Sequence, residues 1–314
     1  MIQISTRTTK LALGKLAAIG IVICLATAGC TSASQSGAGA PSGPGSFSAD
    51  SVPKDENLAS MLPSDIKAKG ALDIGTGTGY APAEFTGGND GQTSMGYGID
   101  FGKAIAATLG LEAKFHVAAF PSILPGLGAK YDVAIASLGI TPERLQAVNM
   151  VSYFNAGVLW AVQKGNPKHF SMDDVCGKTV GVQTGTIEEE PDLTNRSKAC
   201  VDAGKTPINV ISLKTQADVT TRLTNGGVDA MLADSPITYY AISQTGQQLE
   251  PLGDVYDAAI QGIAVAKSDV EMANLVAKVI NKLIKDGDYK KILDTWNNAP
   301  GAVTEAVVNP KPGA

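Results

Sequence analysis

Histidine is nearly absent: His116 and His169 are the two in 314 residues, and they stand isolated from each other. Imidazole-based metal sites and Ser-His-Asp nucleophiles need a grouping of side chains. No cluster with metal-ligand spacing appears, and no cofactor is implied. Positive charge is also scarce, with 25 Lys and Arg against 30 Asp and Glu. That balance excludes the basic footprint that nucleic acid or an anionic membrane surface requires. Long apolar runs are missing too. LAAIGIVICLA, from Leu16 to Ala26, falls short of the roughly 20 apolar residues of a spanning helix.

What stands around that run is informative. Arg7, Lys10 and Lys15 precede it with no acid among them, and the small residues TAGC follow. Charge, short apolar core and small residues, in that order, make a secretory signal, predicted over residues 1–29. TAGC resembles a bacterial lipobox, whose cysteine is lipidated and becomes the mature N-terminus; here it is Cys30. Thr27 stands where Leu is usual, and cleavage after Ala26-Thr27-Ala28 would instead release a soluble chain. Cysteine arithmetic favours the lipobox. Cys24 leaves with the signal, so Cys30, Cys176 and Cys200 remain, and an exported chain is expected to pair its cysteines evenly. Lipidation of Cys30 leaves Cys176 and Cys200 for one disulfide. The expected location is the outer face of the cell membrane, held there by the lipid alone.

The stretch TSASQSGAGAPSGPGSFSADS after Cys30 is rich in Gly, Ser, Ala and Pro and shows no apolar period. It reads as a flexible tether over residues 30–61. Beyond it, ALDIGT, AKFHVAA, YDVAIAS, KTVGVQT, INVISL and VDAMLA read as strands, each a brief run bounded by turn residues. FGKAIAATLG, TQADVTTRLTN and SPITYYAISQ lie between them at helical spacing. Alternating strands and helices imply parallel sheets in an α/β fold. Two extended stretches, GVLWAVQK (Gly157 to Lys164) and AIQGIAVAK (Ala259 to Lys267), bracket a region with its own alternation. They read as crossover strands between two lobes. The first lobe then takes residues 62–157 and 262–300, the second takes 158–261, and 301–314 form a C-terminal tail. The disulfide lies within the second lobe and should contribute about 3 kcal/mol.

The glycines of ALDIGTGTGY invite comparison with the nucleotide turn of methyl-donor enzymes. Such a turn needs a helix directly after it. Here YAPAEFTGGNDGQTSMGYG follows instead, with no credible helix start before about Ile99. The glycines are better read as a tight strand-to-loop turn.

The sequence GTGTGYAPAEF, GYGIDFGKAIAATLGL, FPSILPGLGAKYDVAIASLGITPERL and GVLWAVQKGNP strongly resembles the extracellular solute-binding proteins of family 3, the polar amino-acid receptors of ABC importers. CGKTVGVQTGTIEEE, GGVDAMLADSP and LIKDGDYKKILDTW extend the resemblance over most of the chain. It implies a two-lobed periplasmic-binding-protein-like fold with two hinge strands and an interlobe ligand cleft. It further implies an amino acid as ligand, a permease with its ATPase as partners, and a monomer.

The site follows residue by residue. Thr141-Pro142 reads as N-cap and first helical residue, which puts Arg144 in a first turn where a cation opposes the helix dipole. The resemblance implies that Arg144 grips the ligand α-carboxylate, as a planar guanidinium can with paired bonds. Asp234, before Ser235-Pro236, reads on its own as a helix cap; the resemblance implies instead that it accepts from the ligand ammonium. Tyr80 and Phe120 match aromatics that sandwich the ligand side chain. Ser137, Gly139 and Thr186 lie where backbone and hydroxyl groups meet the carboxylate. Gly77 replaces a frequent acid, which argues weakly against a cationic ligand side chain; Gly98, Ala136, Gly139 and Ile187 also depart from the usual pattern.

An enzymatic alternative exists, because the same fold hosts a cyclohexadienyl dehydratase. Its general acid-base group would have to come from Glu84, Glu188 or Glu189. Three acids in a row at 188–190 read more simply as a solvated helix start, and the expectation is a receptor, not an enzyme.

Overall fold

The computed structural model describes residues 47–312; Cys30 and the signal lie outside them. The first lobe opens with α1 (Glu56–Ser60), α2 (Ser64–Lys69), β1 (Ala71–Thr76), β2 (Phe85–Gly87) and β3 (Thr93–Met95). It continues through α3 (Tyr97–Leu109), β4 (Glu112–Val117), β5 (Val133–Gly139) and α4 (Pro142–Ala147). A long strand, β6 (Val148–Gln163), leads into the second lobe, built from β7 (Thr179–Gln183), α5 (Thr194–Asp202), β8 (Asn209–Leu213), α6 (Gln216–Thr224), β9 (Ala230–Asp234) and α7 (Ser235–Gln244). The equally long β10 (Leu249–Ala266) returns to the first lobe, which ends in α8 (Val270–Asp286) and α9 (Asp288–Thr295).

The main sheet runs β4-β1-β5-β10-β6-β9-β7-β8. Its flanks are parallel, β1 pairing with β4 and β5 on one side, β7 with β8 and β9 on the other. The centre is antiparallel: β10 pairs with β6 along most of its length. These two are the crossover strands expected at 157–164 and 259–267, and each is longer than that reading. The first part of β6 lies in the first lobe, and Val158–Ala161 pair with β9 in the second. Coming back, β10 already pairs with β5 at Gln261, so the chain re-enters the first lobe slightly before the boundary expected at 261/262. Register shifts between Leu252, Tyr256 and Ala259 mark the crossing.

Local sequence explains the last long helix. Asp269 caps α8 by accepting from the Met272 amide at 2.9 Å, and Gly287 ends it in the left-handed region at φ 87°, as caps of these types do. Met272, Leu275, Val276, Val279, Ile280 and Leu283 make one buried stripe, the helical period of a core-facing helix. They pack with Leu72, Ile74, Phe101 and Ile105 into the first lobe's core. The second lobe has its own core around Trp160, Val180, Val182 and Leu232, which includes Cys200. Cys200 is bonded to Cys176, 24 residues away, as the cysteine count required.

Two expectations about the ends need correction. Of the stretch predicted to be flexible over 30–61, the described part, 47–61, is folded: Ala49–Ser51 and α1 are helical, Val52 is buried, and Phe47 packs on the first core. Asp55 starts α1 by accepting from the amides of Asn57 and Leu58, a cap hidden in a polar-looking segment. Residues beyond 300 are not a loose end either. Ala306 is buried, the Val307 amide donates to Ser152 Oγ at 2.8 Å, and Asn309 Oδ1 accepts from the Met150 amide at 2.9 Å.

Candidate functional site

The carboxyl ends of β1, β5, β7 and β9 converge where the lobes meet, the usual place for ligands in open α/β sheets. After β1, Gly79 adopts φ 83°, and a Cβ there would stand 2.7 Å from Thr215 Cβ of the second lobe. Its carbonyl accepts from the Ala217 amide at 3.0 Å. The glycine of this turn is therefore required by the close approach of the opposite lobe. Tyr80 follows, and its hydroxyl donates across the cleft to Asp234 Oδ2 at 2.8 Å.

Asp234 begins α7 without capping it. Its carboxylate turns into the cleft and accepts from Gln261 Nε2 at 2.9 Å as well as from Tyr80. Arg144 is placed by the cap the sequence announced, Thr141 Oγ1 accepting from the Arg144 amide at 3.2 Å with Pro142 in the first turn. Its guanidinium donates to the Gly139 carbonyl at 2.8 Å, reaches the Gly185 carbonyl of the second lobe at 3.3 Å, and lies 5.6 Å from the Phe120 ring centre. Ser137 sits in β5 at φ 51° and donates to Glu84 Oε2 at 3.0 Å. Thr186 Oγ1 donates to the Gln183 carbonyl.

All seven residues singled out from the sequence, Tyr80, Phe120, Ser137, Gly139, Arg144, Thr186 and Asp234, line one cavity, joined by Ile187 and Glu188. The space left between them is ≈ 10 Å³, about one water-sized sphere. The lobes are thus nearly in contact here, and any solute must part them to enter.

Two buried acids, Asp234 and Glu188, line the cavity with the single arginine, and a third, Glu84, is buried outside that lining against Ser137. Asp234 is raised well above the usual carboxylate range, first by burial and then by the negative charge of Glu188. Burial likewise raises Glu188 and lowers Arg144. Glu84 is pushed up to about 8 by burial alone, against the opposing Ser137 bonds. Arg144 and Asp234 stand in this closed space as a basic and an acidic group that can each meet one end of a zwitterion.

Sequence reasoning missed three features. Glu188 is 2% exposed, not the solvated helix start expected of three consecutive acids, because the chain kinks at Glu190 (φ −143°) and turns it inward. Glu189 alone plays a terminal role, accepting from the Gly185 amide at 2.6 Å. Gln261, a polar residue inside the apolar run AIQGIAVAK, was the visible signal of a carboxylate partner. Gly98 also gains a reason: a Cβ there would collide with the Glu84 carboxylate, so the acid missing at 98 leaves the room that Glu84 fills. His116 and His169 are exposed, His116 bonding Asp73 at 2.7 Å. Among the described residues no three potential metal ligands gather, and no helix is long and apolar enough to cross a membrane.

Two lobes, two crossing strands and an enclosed site between them define a cleft-type binding protein. The chain belongs to the bacterial extracellular solute-binding proteins, family 3, matched over residues 72–299. Among its relatives is the arginine-binding protein ArgT of Corynebacterium glutamicum, 32% identical over 265 residues, which cover 84% of this chain and 85% of that one. The L-cystine-binding protein TcyJ of Escherichia coli is 28% identical, over 74% and 85% of the two chains. An ancestral arginine-binding protein solved with arginine superposes with a TM-score of 0.65 at 33% identity, covering 72% of this chain and 98% of its own. An ancestral amino acid-binding protein described as a precursor of cyclohexadienyl dehydratase gives 0.65 at 28%, over 74% and 97%.

Proposed function

We propose that this protein is the substrate-binding component of an ABC importer, capturing an amino acid between its lobes and presenting it to a permease and its ATPase. One observation carries the reading: Arg144 from the first lobe and Asp234 from the second line the same closed cavity. Arg144 binds the α-carboxylate through paired charge-assisted bonds, and Asp234 accepts from the α-ammonium. Tyr80 and Phe120 wall the side chain, with Ser137, Gly139 and Thr186 around the carboxylate. The relatives named for arginine favour a basic side chain, against the hint from Gly77. Cys30 anchors the chain by lipid at the outer face of the cell membrane, and the protein works as a monomer. A receptor is preferred to a dehydratase because the relatives carry the names of binding proteins, including the dehydratase precursor.

The test is a thermal-shift screen of the purified protein against the twenty common amino acids, since a solute that binds only the native state raises apparent stability. At least one, with arginine foremost, should raise the melting temperature by several degrees. No shift with any of them at millimolar concentration would remove the reading.

A further inference from the structure

Glu188 has no task in the zwitterion clamp. It lines the cavity beside Arg144 and Asp234, is 2% exposed, and its Oε1 is buried with no hydrogen-bond partner. Partnerless buried carboxylate oxygens are rare and costly. The charge count shows what would satisfy it. Within the cavity Arg144 is the one basic group and Asp234 and Glu188 are the two acidic ones, each of which a neighbouring cation would hold ionised. A neutral amino acid brings a carboxylate for Arg144 and an ammonium for Asp234, and leaves Glu188 unpaired in a closing cleft. A third charge, positive, completes the set. The other buried acid is not a competitor, because Ser137 Oγ lies within 3.0 and 3.3 Å of its two oxygens and Glu84 is absent from the cavity lining.

We propose that Glu188 is the specificity-determining residue for the ligand side chain, selecting an amino acid that carries a guanidinium or ammonium group. The acid missing at Gly77 of the first lobe is thereby replaced by one from the second, so the side-chain contact, like the clamp, forms only as the lobes meet. The inference rests on the amino-acid reading above.

Arginine and citrulline separate the two, being nearly the same shape with and without the charge. Calorimetric titration of the wild type should show arginine binding at least tenfold more tightly. In Glu188→Gln arginine affinity should fall at least tenfold and citrulline hold or improve, so the preference disappears; Glu188→Asp should keep the preference in part. If the wild type binds citrulline as well as arginine, or if E188Q retains the wild-type ratio, Glu188 does not select the side chain and the proposal is overturned while the amino-acid reading stands. If the wild type binds no amino acid, that reading fails and takes this one with it. If E188Q does not fold, the wild-type comparison can still overturn the proposal, and Glu188→Asp, which should show a reduced preference, tests the residue itself.

Discussion

Arg144 and Asp234 carry the heaviest demand on single side chains. In the proposed clamp each neutralises one end of a zwitterion, so truncating either should leave a ligand charge unpaired in a space that closure dries. Arg144→Ala and Asp234→Ala should each cost roughly 2–5 kcal/mol of binding, more than tenfold in affinity. Neither should lower the ligand-free melting temperature much, because burial already disfavours the charged forms of both residues. Calorimetric titration beside a ligand-free melting curve checks this, and normal binding by R144A would make the residue a mere helix-terminal arginine. Thr141-Pro142 announces the helix start that carries Arg144, and Asp234 ends an apolar strand, but their roles as a pair were implied by the family resemblance and not by these local frames. Glu188 was not legible, because inward placement depends on the kink at Glu190 and on the facing lobe, neither of which spacing encodes. Asp234 shows the limit from the other side, since Asp-Ser-Pro looks like a cap and the carboxylate caps nothing.

At the scale of elements, short strands and helices were readable wherever turn residues bounded an apolar run. All six strands read from the sequence are present, with ends moved by a residue or two. The crossover strands were underestimated because the first-lobe half of β6, VNMVSYFNA, lacks alternation: Val148–Phe154 is buried throughout, and a strand covered on both faces has no period to detect. α1 was missed for a different reason, as one Asp55 cap and five helical residues do not outweigh a Gly- and Ser-rich approach. The disulfide belongs to this scale too. It ties the segment before β7 to α5 across 24 residues, so by loop-closure entropy its removal should cost about 3 kcal/mol. Equilibrium denaturation of Cys176→Ser with Cys200→Ser measures it. The midpoint should fall, while amino-acid binding at low temperature should persist, because neither cysteine lines the cavity. Loss of binding in a protein that still folds would show that this element positions the site.

The whole molecule works through how its lobes meet. The first lobe's Tyr80 hydroxyl reaches Asp234, the Gly79 carbonyl meets the Ala217 amide, and Arg144 reaches the Gly185 carbonyl. These contacts are polar, and each group finds water equally well when the lobes part, so their net worth is about 1 kcal/mol apiece, more for those involving charge. Such an interface holds closure near balance and lets a bound zwitterion decide it, since a ligand shifts the equilibrium only by its differential affinity for the closed form. Arginine should therefore reduce the radius of gyration in small-angle scattering, as hinge closure about β6 and β10 brings the lobes together. Tyr80→Phe removes one interlobe bond and keeps the aromatic wall. It should weaken arginine binding roughly ten- to 150-fold, corresponding to about 1.5–3 kcal/mol for a bond to a charged group, and should need more ligand to reach the same compact size. A radius of gyration unchanged by saturating ligand, in a protein that binds it, would mean that the lobes do not open and close around the solute. The Tyr80–Asp234 bond would then be a fixed strut of the fold.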